Sequence, residues 1–298
     1  MRLAANFERG SEAMAIASQH LPHTQSALRL TFDGGREIDA LSDADRTDLA
    51  ACWQARATNE LYASAALRRV SGALNELSAG AALTSFALSA HEDELRHVEL
   101  CRAVAGRFAG HELPWPSETP VELPEFSGAT ARLTAALQVI AHTVIAETFS
   151  RSVLESSLRL ASGRVARSAL VQMLSDELDH APIGWTYVAG TTDAERRAIE
   201  PFLHALVAAE LKRARAALGH TRGLVSHGVP THAAVERALF GCVRESILPG
   251  FLSFGMPAHE IWTWLRKGAS TRPEALRDVA NFPDGGCFTG GEESFDLR

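Results

Sequence analysis

The chain has 298 residues, a formal net charge of −7 and a hydrophobic fraction of 46%, so it is long enough to bury a sizeable core. The acidic balance argues against nucleic acid as a partner, and four widely spaced cysteines without a Cys-x-x-Cys favour a reduced, cytoplasmic protein over a disulfide framework. The sequence has neither a signal-peptide pattern nor an apolar run of about 18 residues, so we expect no membrane partner.

Helical patterns separated by glycine and proline fill the centre of the chain. Apolar residues at helical spacing predict four long helices, at about 43–77, 81–109, 129–161 and 165–188. Gly80 marks a turn inside the first pair of helices, and Ser162-Gly163 marks one inside the second. Residues 111–128 contain four prolines and cannot form one helix. We interpret them as a long crossover between two antiparallel hairpins, with the bundle spanning 43–190.

The flanking segments have weaker patterns. Residues 1–42 are interpreted as an N-terminal extension with a weak helix in its first part and an extended stretch at 27–32. Residues 191–269 are predicted to form additional helices packed on the bundle, at about 194–219, 231–254 and 261–267. Residues 270–298 are rich in glycine and polar residues and predict a loose tail. The predicted fold class is therefore all-α.

A repeated five-residue motif gives the strongest functional signal. Asp93-Glu94-Leu95-Arg96-His97 has a near copy at Asp176-Glu177-Leu178-Asp179-His180. Chance alone predicts roughly one Glu-x-x-His at this composition, but repetition of Asp-Glu-Leu-x-His is far more specific. Glu and His three residues apart share one helical face, so each motif directs both side chains at one point. Two such pairs can hold two metal ions.

Two further glutamates lie at a matching depth in the predicted hairpins. Glu60 precedes the first turn by about 19 residues, and Glu147 precedes the second by about 16. Both motifs follow their turns by a similar distance, so all six groups fall some 20 to 28 Å from the hairpin ends. Four buried carboxylates need positive charge nearby. An oxygen-rich set of four Glu and two His suits iron or manganese better than zinc or copper.

The order Glu, Glu-x-x-His, Glu, Glu-x-x-His over residues 43–188 resembles the ferritin-like superfamily of di-iron carboxylate proteins. Asp-Glu-x-Arg-His resembles the hydroxylases of bacterial multicomponent monooxygenases and, more loosely, ribonucleotide reductase small subunits. The resemblance implies a ferritin-like four-helix bundle holding two iron ions, with Glu94 and Glu177 bridging them. Its ligands would be Glu60, Glu94, His97, Glu147, Glu177 and His180.

The resemblance also sets the functional hypotheses. The leading one is a non-haem di-iron oxygenase that uses O2 and an external electron donor to oxidise a small organic substrate, with a homodimer left open. The first alternative is ferroxidase or iron handling, in which iron itself is the substrate. The second is a radical-generating subunit. The residues after the bundle are not needed for iron storage and could wall a substrate site.

Three further residues are predicted to act beside the ligands. Asp93 and Asp176 lie one turn before His97 and His180, and each could accept the second N–H of a metal-bound histidine. Spacing leaves open which histidine each serves, and the resemblance implies pairing across the bundle. Arg151, one turn after Glu147, could bind an anionic substrate. The alternative for Arg151 is an ordinary surface pair with Glu155.

Other residues near the motifs are predicted to lie outside the ligand set. His142 is five residues before Glu147, which is off the same face of an α-helix, so neither it nor His91 is expected to bind metal. Cys101, one turn after His97, takes the position at which the reductase subunits carry a radical tyrosine. Because only Tyr62 and Tyr187 are present in the chain, we expect no stable tyrosyl radical.

Overall fold

The computed structural model describes residues 35–122, 126–217, 224–258, 260, 261 and 263. Every regular element among these residues is a helix, and none of them forms a strand, so the predicted all-α class is confirmed for this part of the chain. The predicted elements within 1–34, the tail at 270–298 and most of the helix at 261–267 lie outside the described residues.

The helices follow the predicted order with added breaks. In chain order they are α1 (Gly35–Asp39), α2 (Asp43–Glu76), α3 (Ala81–Ala109), α4 (Ala131–Val139), a first π-helix (Ile140–Ala146), α5 (Glu147–Leu160), α6 (Arg164–Gly190), α7 (Asp193–Ile199), a 3-10 helix (Glu200–Phe202), α8 (Leu203–Ala216), a second 3-10 helix (Val225–His227), α9 (His232–Cys242), a second π-helix (Val243–Ile247) and α10 (Leu248–Ser253).

Local signals set the ends of the first long pair. Ser42 caps α2, because its side chain accepts a hydrogen bond from the Asp45 backbone N–H at 3.1 Å. Gly80, with φ of +99°, precedes α3 in a conformation that favours glycine. Gly110 ends α3 in the left-handed region, with φ of +77°. The two helices therefore form an antiparallel hairpin, and they pack along their length.

The segment after α3 runs lengthwise along α2. Gln54 donates its side-chain N–H to the Pro114 carbonyl at 2.9 Å, and Arg69 donates to the Val121 carbonyl. These partners are 15 residues apart on α2, or about 22 Å. Arg132 donates to the Leu77 carbonyl at 3.5 Å, so α4 begins beside the end of α2. The third long segment, Ala131–Leu160, therefore runs antiparallel to α2.

The four long segments pack in a ring. α3 packs against α6, α6 packs against the first π-helix and α5, and α4 returns to α2. Apolar side chains from all four fill the space between them, among them Leu67, Ala87, Ile145 and Ile183. α8 packs on the first π-helix and α9 packs on α5, so the later helices contact the third long segment.

The third segment departs from the sequence prediction, which was an uninterrupted α-helix. Residues 140–146 form i→i+5 hydrogen bonds instead, which moves the helix out of its normal register. Thr143 Oγ1 donates to the Val139 carbonyl at 2.7 Å, and Thr148 Oγ1 donates to the Val144 carbonyl at 2.5 Å. Both hydroxyls thus bond to carbonyls in or next to the π-helix, and apolar periodicity does not predict such local interactions.

Ala131–Leu160 is long and apolar enough to cross a membrane, the one such helix found among the described residues. Its most apolar stretch of 18 residues has a mean hydropathy of 1.2, and 72% of that stretch is buried inside the molecule. A buried helix of a protein core meets the same criterion, so this helix is weak support for a span. The expectation of no membrane partner stays a prediction.

Candidate metal centre

All six predicted ligands converge in the middle of the helical ring. Their exposed fractions lie between 1% and 6%. One comes from α2, two from α3, one from the start of α5 and two from α6: Glu60, Glu94, His97, Glu147, Glu177 and His180. Counting residues from the two hairpin turns therefore predicted correctly which six side chains come together.

The six residues form two overlapping groups that could each hold a metal ion. The first consists of Glu60, Glu94, His97 and Glu177, and the second of Glu94, Glu147, Glu177 and His180. Within each group the ligand atoms lie within 4.8 Å of one another. Glu94 and Glu177 belong to both groups, which is the arrangement expected of carboxylates that bridge two ions.

The two histidines are oriented by aspartates from the opposite motif. His97 Nε2 lies 3.0 Å from Asp176 Oδ2, and His180 Nε2 lies 3.2 Å from Asp93 Oδ2. A carboxylate accepts, so in each pair Nε2–H donates and Nδ1 is left facing the carboxylate cluster. This is the pairing across the bundle that the resemblance implied, and spacing alone could not select it.

One arginine bridges the two aspartates. Arg96 contacts Asp93 Oδ1, and its guanidinium lies 3.6 Å from Asp176 Oδ2. The second motif has Asp179 where the first has Arg96, and Asp179 is exposed. A single guanidinium therefore serves both histidine–aspartate pairs.

Several atoms in the cluster lack hydrogen-bond partners. His180 Nδ1 is 3.2 Å from Glu94 Oε1 and 3.5 Å from Glu147 Oε2, without the geometry of a hydrogen bond. Glu147 Oε2 and Glu177 Oε2 are also buried and unpartnered within the described chain. Glu177 Oε1 accepts a hydrogen bond from Ser150 at 3.1 Å. Buried oxygens and a ring nitrogen that face one another can be satisfied by a proton or by a metal ion held between them.

Proton affinities in the metal-free cluster differ sharply among the glutamates. Burial and the nearby Glu94 raise the pKa of Glu60 well above its usual value, and burial together with Glu177 raises the pKa of Glu147 to about 8. Burial opposes ionisation of Glu94 too, but the imidazoles of His97 and His180 hold its pKa well below the usual range. Of Glu60, Glu94 and Glu147, Glu94 is thus the one stabilised as an anion.

A cavity of about 130 Å³ adjoins the cluster. Glu60, Glu94 and Glu147 form part of its wall, and apolar residues form much of the remainder, including Trp53, Phe149 and Leu154. Arg213, Ala214 and Ala217 from α8 and the segment after it complete the wall, together with Val229 and Pro230. A distant part of the chain therefore closes the space beside the candidate ligands.

His142 is a cavity residue that α-helical spacing assigned to the wrong face. Within the π-helix, residues five apart share a face, so His142 and Glu147 both line the cavity. Its Nδ1 lies 3.9 Å from Glu210 Oε1, beyond hydrogen-bond distance, and both ring nitrogens lack partners among the described residues. His142 belongs to neither of the two groups that could hold a metal ion. Arg213 donates to Glu210 at 2.7 Å and lies over the ring of Tyr62.

We expect His142 to make stability dependent on pH. Burial lowers its pKa to about 4, with Glu210 opposing and Arg213 and Arg69 adding to the shift. The unfolded chain binds a proton at this histidine near pH 6.5 and the folded chain does not. The contribution of His142 to stability is therefore complete above pH 6.5 and declines as the pH falls towards 4. His142→Leu should remove about 1 kcal/mol of the decline between pH 7.5 and 5.5. Urea unfolding of the wild type and of His142→Leu, each with chelator, between pH 7.5 and 5.5 measures the difference. Free energies of unfolding that fall equally with pH in the two proteins would contradict the prediction.

The other residues singled out in the sequence belong to neither candidate ligand group. Arg151 Nε donates to Glu155 Oε1 at 2.9 Å, and Arg151 is absent from the cavity wall, so the geometry matches the surface-pair alternative. His91 Nδ1 is 2.7 Å from Ser64 Oγ. Cys101 is fully buried, and its Sγ donates to Met173 Sδ at 3.7 Å.

Comparison with protein-family models, with curated proteins and with solved structures gave no match for this chain.

Proposed function

We propose that this chain is a non-haem di-iron oxygenase that oxidises a small organic substrate with O2. The observation that carries the proposal is the pair of overlapping ligand groups built from a repeated Asp-Glu-Leu-x-His motif beside a cavity. A ferritin-like arrangement is part of the proposal. Two antiparallel hairpins, a lengthwise crossover and one Glu or one Glu-x-x-His per long segment support it.

Charge and donor chemistry favour two divalent ions. Four glutamate carboxylates carry four negative charges when ionised, and two divalent ions neutralise them. The donor set of carboxylate oxygens and two imidazole nitrogens is hard and oxygen-rich, which suits iron, with manganese as the second choice. The unpartnered Glu147 Oε2, Glu177 Oε2 and His180 Nδ1 would then bind metal instead of remaining unsatisfied.

The residues of the chain would hold, orient and shield this centre. Iron, when bound, supplies the redox chemistry that lets O2 react with an organic molecule. Asp93 and Asp176 fix the tautomer of the two histidines so that Nδ1 faces the cluster. Arg96 balances the two aspartates. Burial excludes bulk water from the ligands, and the cavity would position the substrate beside Glu60 and Glu147.

The cavity favours oxygenation over iron handling. Its wall combines three candidate ligands with aromatic and aliphatic side chains, a lining suited to an organic molecule and not to hydrated iron. Oxygenation leaves one atom of O2 in the product and the other in water. Its two electrons would come from an external donor.

Counting iron through the reaction tests the proposal. Iron-loaded protein is reduced without air, given limited O2 and assayed for iron oxidation state and content over repeated cycles. We expect a constant two iron ions per chain that cycle between oxidation states. Oxidation of iron far in excess of two per chain would indicate storage, and a chain that binds no iron would overturn the proposal.

We expect no persistent tyrosyl radical after O2 exposure. Tyr62 is the only tyrosine in the cavity wall, where Arg213 lies over its ring and burial raises its pKa. Tyr187 lies elsewhere, in the core of the ring. Electron paramagnetic resonance of freshly oxidised protein measures the radical. A stable signal that Tyr62→Phe or Tyr187→Phe abolishes would favour a radical-generating subunit.

A further inference from the structure

Arg56 lies on the cavity wall, one helical turn before Glu60 on α2. Its guanidinium is held in place on two sides. Nη2 donates to the Gly228 carbonyl at 3.2 Å, and the guanidinium carbon lies 4.6 Å from the centre of the Trp53 ring. Trp53 is itself fixed by a hydrogen bond from Nε1 to the His227 carbonyl at 3.0 Å. The side chain is therefore oriented before any ligand arrives.

The charge of Arg56 has no protein counterpart within the described residues. No carboxylate among them lies within ion-pair distance of it, and its Nη1 is shielded from solvent without a hydrogen-bond partner. The other arginine on the wall differs, because Arg213 is paired with Glu210 at 2.7 Å. A fixed guanidinium with a free donor is suited to a carboxylate, which a planar fork binds through two points.

The remainder of the wall sets the size and polarity of a ligand. Aromatic and small apolar residues surround the space between Arg56 and the candidate ligands, including Trp53, Ala63, Phe149 and Val153. A volume of about 130 Å³ is close to that of the engineered apolar cavities that take up benzene. An apolar body of about one ring, with one anionic end, fits these limits.

We propose that the cavity binds a small monocarboxylic acid, with its carboxylate on Arg56 and its apolar part directed towards Glu60 and Glu147. This assignment rests on the proposed function only in naming the acid as the substrate, because binding itself needs no metal. One turn of helix separates the anchor from Glu60, so an acid held at Arg56 presents its distal carbons to the candidate metal centre. The acid group then determines which carbon is oxidised.

Binding of benzoate and of uncharged benzamide to the full chain, measured by calorimetry with and without chelator, tests the inference. We expect benzoate to bind the wild type in both conditions and Arg56→Gln to weaken it about 10-fold to 100-fold, with little change for benzamide. Arg56→Lys keeps the positive charge but loses the planar fork, so its affinity for benzoate should lie between those of the wild type and Arg56→Gln. Arg151→Gln removes a guanidinium outside the cavity and should bind as the wild type does.

The outcomes separate this inference from the proposed function, since metal content is measured on the same samples. Benzoate that binds Arg56→Gln as well as the wild type, or does not bind the wild type, would overturn the anchor whatever the iron count. Benzoate binding that disappears with chelator would place the carboxylate on metal and also overturn it. A change in metal content without a change in benzoate affinity would make Arg56 a counter-charge for the glutamates. If Arg56→Gln does not fold, Arg56→Lys supplies the affinity comparison, with circular dichroism to verify the fold of each variant.

Discussion

Glu94→Gln should reduce bound metal from two ions per chain to nearly none, whereas Glu147→Gln should leave about one. Glu94 belongs to both ligand groups, and Glu147 belongs only to the group with His180. Elemental analysis of protein expressed with added iron measures the difference. Glu155→Gln is the matched control, because Glu155 lies on α5 like Glu147 but pairs with Arg151 at the surface. Wild-type metal content in Glu94→Gln would contradict both groups.

The same two variants should change metal-free stability in opposite directions. With its pKa raised to about 8, folded Glu147 keeps a proton that the unfolded chain releases near 4.5, so stability falls as pH rises between these values. Glu147→Gln removes this titration and should raise the free energy of unfolding at pH 7, by on the order of 3 kcal/mol.

Glu94 behaves in the opposite way because two imidazoles stabilise its anion. Its pKa is lowered, so its contribution is complete above about 4.5 and is lost as pH falls. Glu94→Gln leaves His97 and His180 without their shared anion, and loss of one partner from a buried pair costs about 3–5 kcal/mol. Urea unfolding with chelator at pH 7 compares the variants. Changes of the same sign would show that general carboxylate repulsion, and not this pairing, governs the metal-free cluster.

The ligands could be found from the sequence because their signals are local and repeated. Each Glu-x-x-His needs only one helical turn to form, and hairpin geometry fixes the depth of Glu60 and Glu147 once the turns are located. The choice of aspartate for each histidine needed tertiary structure, since Asp93 lies at i−4 of His97 yet contacts His180.

The cavity was harder to predict because distant segments and a register change build it. α8 contributes Arg213 from outside the bundle, and nothing in the sequence of α8 indicates that this helix lines the cavity. His142 was assigned to the wrong face because the π-helix changes the spacing rule. The sequence could have indicated Arg56 as a cavity residue, because an arginine four residues before Glu60 lies on the same face of the helix. The same reasoning selected Arg151 after Glu147, but Arg151 pairs with Glu155 and is not part of the cavity wall.

Asp93→Asn and Asp176→Asn should keep the metal ions and slow the reaction with O2. Asparagine retains an acceptor oxygen for the histidine Nε2–H but lacks the negative charge that makes the metal-bound imidazole a stronger donor. Partners of this kind change metal affinity or activity by about 10-fold to 100-fold. We expect the larger effect at Asp93, whose side chain is 13% exposed, compared with 33% for Asp176.

Asp179→Asn supplies the control for this prediction. Asp179 lies in the same motif as Asp176 but is exposed and should leave both metal content and rate unchanged. Stopped-flow absorbance after mixing reduced protein with O2 gives the rate, and elemental analysis gives the occupancy. Arg96 contacts both aspartates, so either single variant leaves it one charged partner and only the double variant leaves it none, and the double variant should be more impaired than the product of the single effects predicts. Rates equal to wild type in both single variants would reduce the aspartates to neutral hydrogen-bond acceptors, with orientation and not charge as their contribution.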